Sequence, residues 1–311
     1  MIKTILLTGA TGFIGSFLLP ELLKERYKVI IVKRLTSDTW RIQDYLDQVQ
    51  IYTIEEGLER PFKEHRIDYV IHLATHYVKW NENLNDVQKM IDCNIAMTVQ
   101  LCQLSAEHNV HHFLNTGTMF EYKQKNTPLK EDDERQPYNL FSATKIISDD
   151  MVRYYTFFNK HFKVIDLKLF SPFGEKDHPK VLVFLTQSLI NNKEIDFSGG
   201  EQRWNFTYVK DIVEAYLCAL RYFSTMIGYE SFNIGYDQAY SLKECVAILE
   251  KIAGRKLAIR FGAKPYVDHE IFYVNCDPAK AKKKLGWKPK YNLASGLRCM
   301  YNYYKMLNPI I

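Results

Sequence analysis

No two cysteines in this chain are spaced to hold zinc or to cycle as a dithiol. The six, Cys93, Cys102, Cys218, Cys245, Cys276 and Cys299, are scattered and none forms a C-x-x-C pair. A structural metal and a dithiol redox motif are excluded on that spacing, and no metal site is expected. Most of the six lie in apolar stretches, which suits buried, reduced thiols. Long apolar runs are missing too, so no segment suits a bilayer span. Lys3 leads straight into a strand pattern rather than an apolar signal core. A cytoplasmic protein that meets no membrane is therefore expected. Charge of one sign is scarce. The net charge is +5 over 311 residues, with Lys and Arg interspersed among Asp and Glu, so no nucleic-acid partner is expected. Repeats and low-complexity segments are absent. With 47% hydrophobic and 25% charged residues, the composition is that of an ordinary globule.

Short apolar runs alternate with helical patterns. Thr4–Leu7, Val29–Val32, Asp68–Leu73, His112–Asn115 and Val164–Leu169 read as buried strands. Helical patterns fill Phe13–Glu25, Asp86–His108 and Asn139–Tyr155. This alternation predicts an α/β fold with a doubly wound parallel sheet of Rossmann type, covered on both faces. After Phe170 the texture changes, with helices expected at Lys180–Ile190, Asp211–Phe223, Leu242–Ala253 and Ala294–Lys305. The Ser231–Gly235 strand looks fit to rejoin the main sheet. Residues 1–172 plus about 205–236 are thus expected to form a cofactor-binding domain. Residues 173–204 plus 237–311 are expected to form a smaller, discontinuous C-terminal substrate domain.

The first strand runs into Thr8-Gly9-Ala10-Thr11-Gly12-Phe13-Ile14-Gly15, a G-x-x-G-x-x-G spacing between a strand and a helix. Gly9 permits a tight turn, Gly12 lets the backbone approach a pyrophosphate, and Gly15 allows close helix–sheet contact. The helix N-terminus then offers unpaired N–H groups and its positive dipole end. Thr11, Phe13 and Ile14 belong to the same loop. At the end of the second strand, where an acid would hold the adenosine ribose of NAD, stand Lys33 and Arg34. A guanidinium there can fork onto a 2′-phosphate, so NADP(H) is the expected cofactor.

These and later motifs resemble, in order over nearly the whole chain, the extended short-chain dehydrogenase/reductases of the NAD-dependent epimerase/dehydratase type. Thr8–Gly15 is similar to their glycine motif. His72-Leu73-Ala74 resembles the strand-four motif beside adenine and ribose, and Asn94 matches a buried Asn on the following helix. Asn115-Thr116-Gly117-Thr118 resembles the segment that carries the catalytic Ser or Thr, here Thr118. Lys168–Gly174 is similar to the Arg-x-Phe-Asn-x-Tyr-Gly stretch beside the nicotinamide. Arg203–Asp211 is similar to a later motif whose arginine meets the sugar-nucleotide pyrophosphate, and Gly286-Trp287-Lys288-Pro289 resembles the closing Gly-Trp-x-Pro. The resemblance implies cofactor contacts from Leu73, Ala74, Thr75, Asn94, Lys145, Phe170 and Phe173. It implies substrate contacts from His76, Thr118, Met119 and Arg203. It also implies a homodimer through the helices at 86–108 and 139–155, with Met90, Ile91, Met97, Leu101, Met151 and Tyr155 as its apolar core.

One position departs from the pattern. The family's catalytic Tyr-x-x-x-Lys places two side chains on one helix face, and here the segment ends Phe141-Ser142-Ala143-Thr144-Lys145. Lys145 is present, but Phe141 carries no proton to exchange. Three readings stay open: an engineered Tyr→Phe change, a natural variant that draws on Tyr138, Tyr122, Thr118 or water, and a non-catalytic binder of sugar nucleotides and NADP. Dehydratases of the family resemble one another in an Asp-Glu pair after the catalytic Thr. This chain has Met119-Phe120 there, so elimination of water is not expected. The resemblance then implies a nucleotide-sugar 4-epimerase or a reductase. Lys33 and Arg34 favour the reductase, similar to the enzymes that reduce 4-keto-6-deoxy sugars on a nucleotide, such as the CDP-abequose and CDP-paratose synthases.

Overall fold

The computed structural model describes residues 2–80 and 82–307. Six strands alternate with helices in the first half of the chain: β1 (Thr4–Thr8), β2 (Lys28–Lys33), β3 (Gln50–Thr53), β4 (Tyr69–His72), β5 (His112–Thr118) and β6 (Lys163–Leu169). The Tyr229–Ile234 strand joins them from the second half. All seven run parallel, in the order Tyr229–Ile234, β6, β5, β4, β1, β2, β3. The period of two sorts their side chains. Ile5 and Leu7 enter one core with Val29, Ile31, Ile165 and Leu167, while Leu6 enters the other with Ile30, Val70, Phe113 and Val164. Helices α1 (Phe13–Lys24) and α7 (Val209–Tyr222) close the first core. Helices α4 (Met97–Glu107) and α5 (Leu140–Phe158) close the second. The expected Rossmann-type fold is what the chain adopts.

A third core joins α6 (Val181–Ile190), α8 (Leu242–Ala253) and α9 (Leu293–Leu307) to Phe173, Phe206 and Tyr208. Phe13, at the start of α1, belongs to this core as well. The cofactor-type loop is therefore packed against the C-terminal helices. No helix among the described residues is long and apolar enough to cross a membrane, and no cluster of metal-ligating side chains occurs among them.

Two features were not foreseen. Strand β3 is a half-exposed edge of four residues preceded by a 3₁₀ segment, Trp40–Gln48. The expected helix 86–108 is also not uniform. Helix α3 (Leu84–Met90) passes through a π-helical segment, Ile91–Ala96, into α4. One further expectation needs correction. Met90, Met97 and Leu101 are buried within the single chain, Met97 and Leu101 in the core against the sheet, and they cannot form a core between two copies. The large apolar side chains these helices expose are Leu84, Ile91, Leu140, Ile147, Tyr154, Phe157 and Phe158.

Candidate active site

Strand order reverses between β1 and β4, and the crevice outside the C-terminal ends of strands at such a switch point is where ligands of these sheets bind. The glycine loop lies on it. Gly9 has φ +72°, and a Cβ there would stand 2.7 Å from the backbone of Leu73 and Ala74. Gly15 is similarly closed, since a Cβ would meet Gly9 O at 2.2 Å. Gly12 is different: its only close neighbour would be Gly9 O at 3.2 Å, so its outer side is open to a ligand. Gly12 also caps α1. No side chain caps that helix end, and no acid stands in its first turn. The free N–H groups and the dipole there suit an anion.

His72 and Thr8 tie β1 to β4. The Thr8 hydroxyl lies 2.7 Å from His72 Nδ1 and accepts from Ala74 N–H at 3.2 Å. Nε2 stands 3.0 Å from Thr98 Oγ1. Burial, helped by the nearby Lys145 charge, lowers the imidazole to about 3. The ring is neutral, and Thr98 Oγ1 already donates to Asn94 O, so Nε2–H donates to Thr98 and Nδ1 accepts from Thr8.

Asn94, in the π segment, spends all its hydrogen-bonding groups inside the chain. Its Oδ1 accepts from Thr75 Oγ1 (2.9 Å) and His76 N–H (2.8 Å). Its Nδ2 donates to His76 O (3.0 Å) and Thr144 Oγ1 (2.9 Å). Asn94 thus clamps the 75–76 loop to α5, next to Lys145. A π segment, with its shifted backbone bonds, is a common device at functional sites. His76 Nε2 lies 3.5 Å from Asp86 Oδ1 and is buried without a hydrogen-bond partner among the described residues.

Lys145 is buried, and its ammonium has no hydrogen-bond or ion-pair partner among the described residues. Burial lowers its pKa, partly offset by the charges of Asp166 and Glu121. An unpartnered buried ammonium beside an open phosphate loop fits a dinucleotide whose ribose hydroxyls would accept from it. Phe141, one turn earlier, is buried, and the Tyr77 ring meets it edge-on at 4.7 Å between centroids and 90° between planes. Thr118 ends β5, and its hydroxyl only weakly accepts from Phe120 N–H at 3.4 Å.

Beneath Thr118 lies a charged cluster that the sequence reading missed. Lys168 Nζ is 2.6 Å from Glu121 Oε2, 2.7 Å from Asp166 Oδ2 and 3.8 Å from Asp149 Oδ2, and all four side chains are buried. Glu121 Oε1 accepts from Thr118 N–H at 2.7 Å. A Cβ on Gly117 would stand 2.6 Å from Asp166 Oδ2 and 2.9 Å from Glu121 Oε1, so the glycine of Asn-Thr-Gly-Thr is required by this cluster. Burial alone would lower the Lys168 pKa, but the three carboxylates outweigh it and hold it well above the usual range. Burial pushes Glu121 upward against the pull of Lys168.

The other expected residues are placed as follows. Lys33 is partly exposed and Arg34 exposed, and the Arg34 guanidinium pairs with no acid among the described residues. Glu55 instead accepts from Leu35 N–H at 3.0 Å and fixes the loop behind it. Phe170, Phe173 and Met119 are buried in packed clusters, which leaves little but backbone for ligand contact there. Arg203 donates to Ala239 O at 2.9 Å and pairs with Glu244 at 3.0 Å, with 44% of its side chain exposed.

Known proteins are similar to this chain in sequence and fold. A family described as "NAD dependent epimerase/dehydratase family" matches residues 5–235. A CDP-abequose synthase of Salmonella muenchen is 26% identical, over 96% of this chain and 97% of its own. A UDP-glucose 4-epimerase of Pisum sativum is 25% identical, over 97% and 96%. Among solved structures, a UDP-glucuronic acid 4-epimerase from Bacillus cereus is 29% identical with a TM-score of 0.87, covering 98% of this chain and 100% of that one. It is a Tyr-to-Phe mutant in complex with UDP-4-deoxy-4-fluoro-glucuronic acid and NAD. A UDP-glucose 4-epimerase from Thermotoga maritima, solved with UDP-glucose, is 26% identical with a TM-score of 0.88 and covers 98% and 99%.

Proposed function

The chain belongs to the NAD dependent epimerase/dehydratase family, and from that premise we propose an NADP(H)-dependent reductase of a nucleotide-linked 4-keto-6-deoxy sugar. At the coarser level it is an enzyme that binds a nicotinamide cofactor and modifies a sugar nucleotide. The observation that carries the finer reading is the pair Lys33 and Arg34 at the end of β2. Arg34 is exposed and unpaired among the described residues, and Glu55, the acid that meets this loop, is engaged by Leu35 N–H. A 2′-phosphate answers that geometry by charge-assisted hydrogen bonds.

In this reading the loop Gly9–Gly15 and the start of α1 hold the cofactor pyrophosphate. Leu73, Ala74 and Thr75 border the adenosine, and Lys145 donates to the ribose near the nicotinamide. When bound, the cofactor supplies a hydride. Thr118 donates a hydrogen bond to the sugar oxygen, and Arg203 and His76 face the sugar nucleotide. Residues 173–204 and 237–311 form the substrate side of the cleft. A pair of chains associates through α3–α4 and α5. Elimination of water is disfavoured because Glu121, the nearest carboxylate after Thr118, is buried between Lys168 and the Thr118 N–H.

A second reading, a nucleotide-sugar 4-epimerase, is favoured by relatives of that name and by solved neighbours that hold NAD. Two measurements separate them. The reductase consumes NADPH with a 4-keto-6-deoxy sugar on CDP, dTDP, GDP or UDP. The epimerase inverts UDP-glucose at C4 without net cofactor loss. NADPH is expected to bind at least ~10-fold more tightly than NADH, and Arg34→Ala is expected to remove about 1.5–3 kcal/mol of that preference. Equal affinity for the two cofactors would refute the NADP assignment. Tight NADPH binding with no turnover of any sugar would leave a binding protein.

A further inference from the structure

We propose that Tyr77 supplies the proton that position 141 lacks. The inference rests on the oxidoreductase reading above, and it holds for reductase and epimerase alike, since both move a proton on or off a sugar oxygen as hydride moves at carbon.

The phenols suggested by sequence are engaged elsewhere. Tyr122 is fully buried and donates to Asn233 Oδ1 at 2.6 Å. Tyr138 donates to His269 O at 3.0 Å, and its ring is stacked on Phe120 and met edge-on by Trp80. The Tyr77 hydroxyl has no partner among the described residues. Its ring is the one that meets Phe141, perpendicular and at 4.7 Å. Tyr77 thus stands against the very side chain that occupies the family's acid position.

Its backbone is set for a defined role. Residue 76, next to it, is held at both N–H and O by Asn94. The same amide donates to Thr144, adjacent to Lys145. The loop that carries Tyr77 is therefore geared to the helix that carries Phe141 and Lys145. Tyr77 is 45% exposed yet closely surrounded, as befits the wall of a cleft. Burial, with the neighbouring Tyr138, raises its phenol to about 12. It stays protonated near neutrality. As an un-ionised phenol it has a proton to give to the oxygen on which hydride transfer develops negative charge.

The balance in the reducing direction is simple. The carbonyl carbon gains a hydride from the reduced nicotinamide, the C=O π bond opens, and the oxygen takes the Tyr77 proton. The phenolate left behind is reprotonated by water, and the products are the alcohol and the oxidised nicotinamide. Lys145, buried and unpartnered among the described residues, would offer its positive charge to the cofactor ribose beside the reacting oxygen.

The test uses Tyr77→Phe and Tyr77→Phe with Phe141→Tyr, assayed by NADPH loss with the four nucleotide-linked keto sugars and by UDP-glucose inversion. The first variant is expected to lose at least ~100-fold in kcat, the low end for a placed general acid. Its KM and NADPH Kd should stay within about threefold of the parent's. Adding Phe141→Tyr should restore at least ~10-fold, because a phenol then stands at the neighbouring position. A Tyr77→Phe variant that keeps more than about a third of kcat, that loses in KM or Kd instead, or that Phe141→Tyr fails to restore, overturns the proposal. If neither the parent nor Phe141→Tyr turns over any of these sugars, the functional reading fails, and Tyr77 is judged without a sugar. Phenolate absorbance is titrated in the NADP⁺ complex. One tyrosine, missing in Tyr77→Phe, should ionise at lower pH than in the free protein, drawn down by the nicotinamide charge. The absence of such a tyrosine overturns the proposal by itself.

Discussion

A buried ammonium enclosed by carboxylates is costly to leave half-paired, and Lys168 is in that position. It answers Glu121, Asp166 and, more distantly, Asp149. Through Glu121 it fixes the N–H of Thr118. Lys168→Met strands Glu121 and Asp166 in the interior, while Asp149 keeps Arg135 and Arg153, and is expected to cost about 3–5 kcal/mol, measured by urea denaturation at pH 7. The deficit should shrink at pH 5. Burial already pushes Glu121 upward, and without Lys168 it takes a proton as the pH falls, which removes the stranded charge. Lys168→Arg, which keeps the charge, should lose far less. A Lys168→Met deficit below ~1 kcal/mol, or one equal at both pH values, would refute this account. Half of the cluster was legible in the sequence: Asp166 and Lys168 are two apart on a strand and must share a face. Glu121 and Asp149 were not, because pairing across β5, β6 and α5 sets their distance and no local pattern encodes it.

At the scale of elements, the long amphipathic helices and apolar strands were readable because burial of one face imposes a period. The glycine loop was readable for a different reason, since backbone crowding at Gly9 and Gly15 leaves no room for any other residue. Strand β3 escaped because only Tyr52 among its four residues is buried. The π segment escaped because a single shifted turn hardly alters the apolar period around it. The same helices present Leu84 and Ile91 on one run and Ile147 and Tyr154 on the other, each pair seven apart and exposed. Two turns of helix separate such residues on one stripe. The stripe is the surface that a second copy would cover. Ile147→Glu with Tyr154→Glu is expected to turn a dimer into a monomer in light scattering at micromolar protein. NADPH should still bind, since neither residue touches the crevice. A parent chain that is already monomeric, or a doubly charged variant that stays dimeric, would refute this interface.

For the whole molecule, the order of motifs along the chain conveyed the fold, because each motif marks the end of a successive strand and the sheet gathers those ends into one crevice. What the motifs could not convey was which phenol faces Phe141, a matter of loop path that only Asn94 and its four bonds decide. The same gathering buries His72 at the centre of the fold, and this has a global consequence. Its folded pKa, about 3, lies below the unfolded value near 6.5. Between those limits the unfolded chain binds more protons than the folded one, so stability falls as the pH is lowered. Above about 6.5 the contribution is flat and fully present. Within the window it is lost at up to about 1.4 kcal/mol per pH unit. Other groups titrate in the same range, so the measurement is a difference in slope: unfolding free energies of the parent and of His72→Asn, taken from pH 7 to pH 4. The substitution removes the buried base, and it lowers stability at every pH by disturbing Thr8 and Thr98. Its curve should nevertheless run flatter than the parent's between pH 4 and 6, by about 1 kcal/mol per unit. Parallel curves would mean that His72 is charged in the folded protein. Its Nδ1 could then no longer accept from Thr8, and the neutral link between β1 and β4 would have to be abandoned.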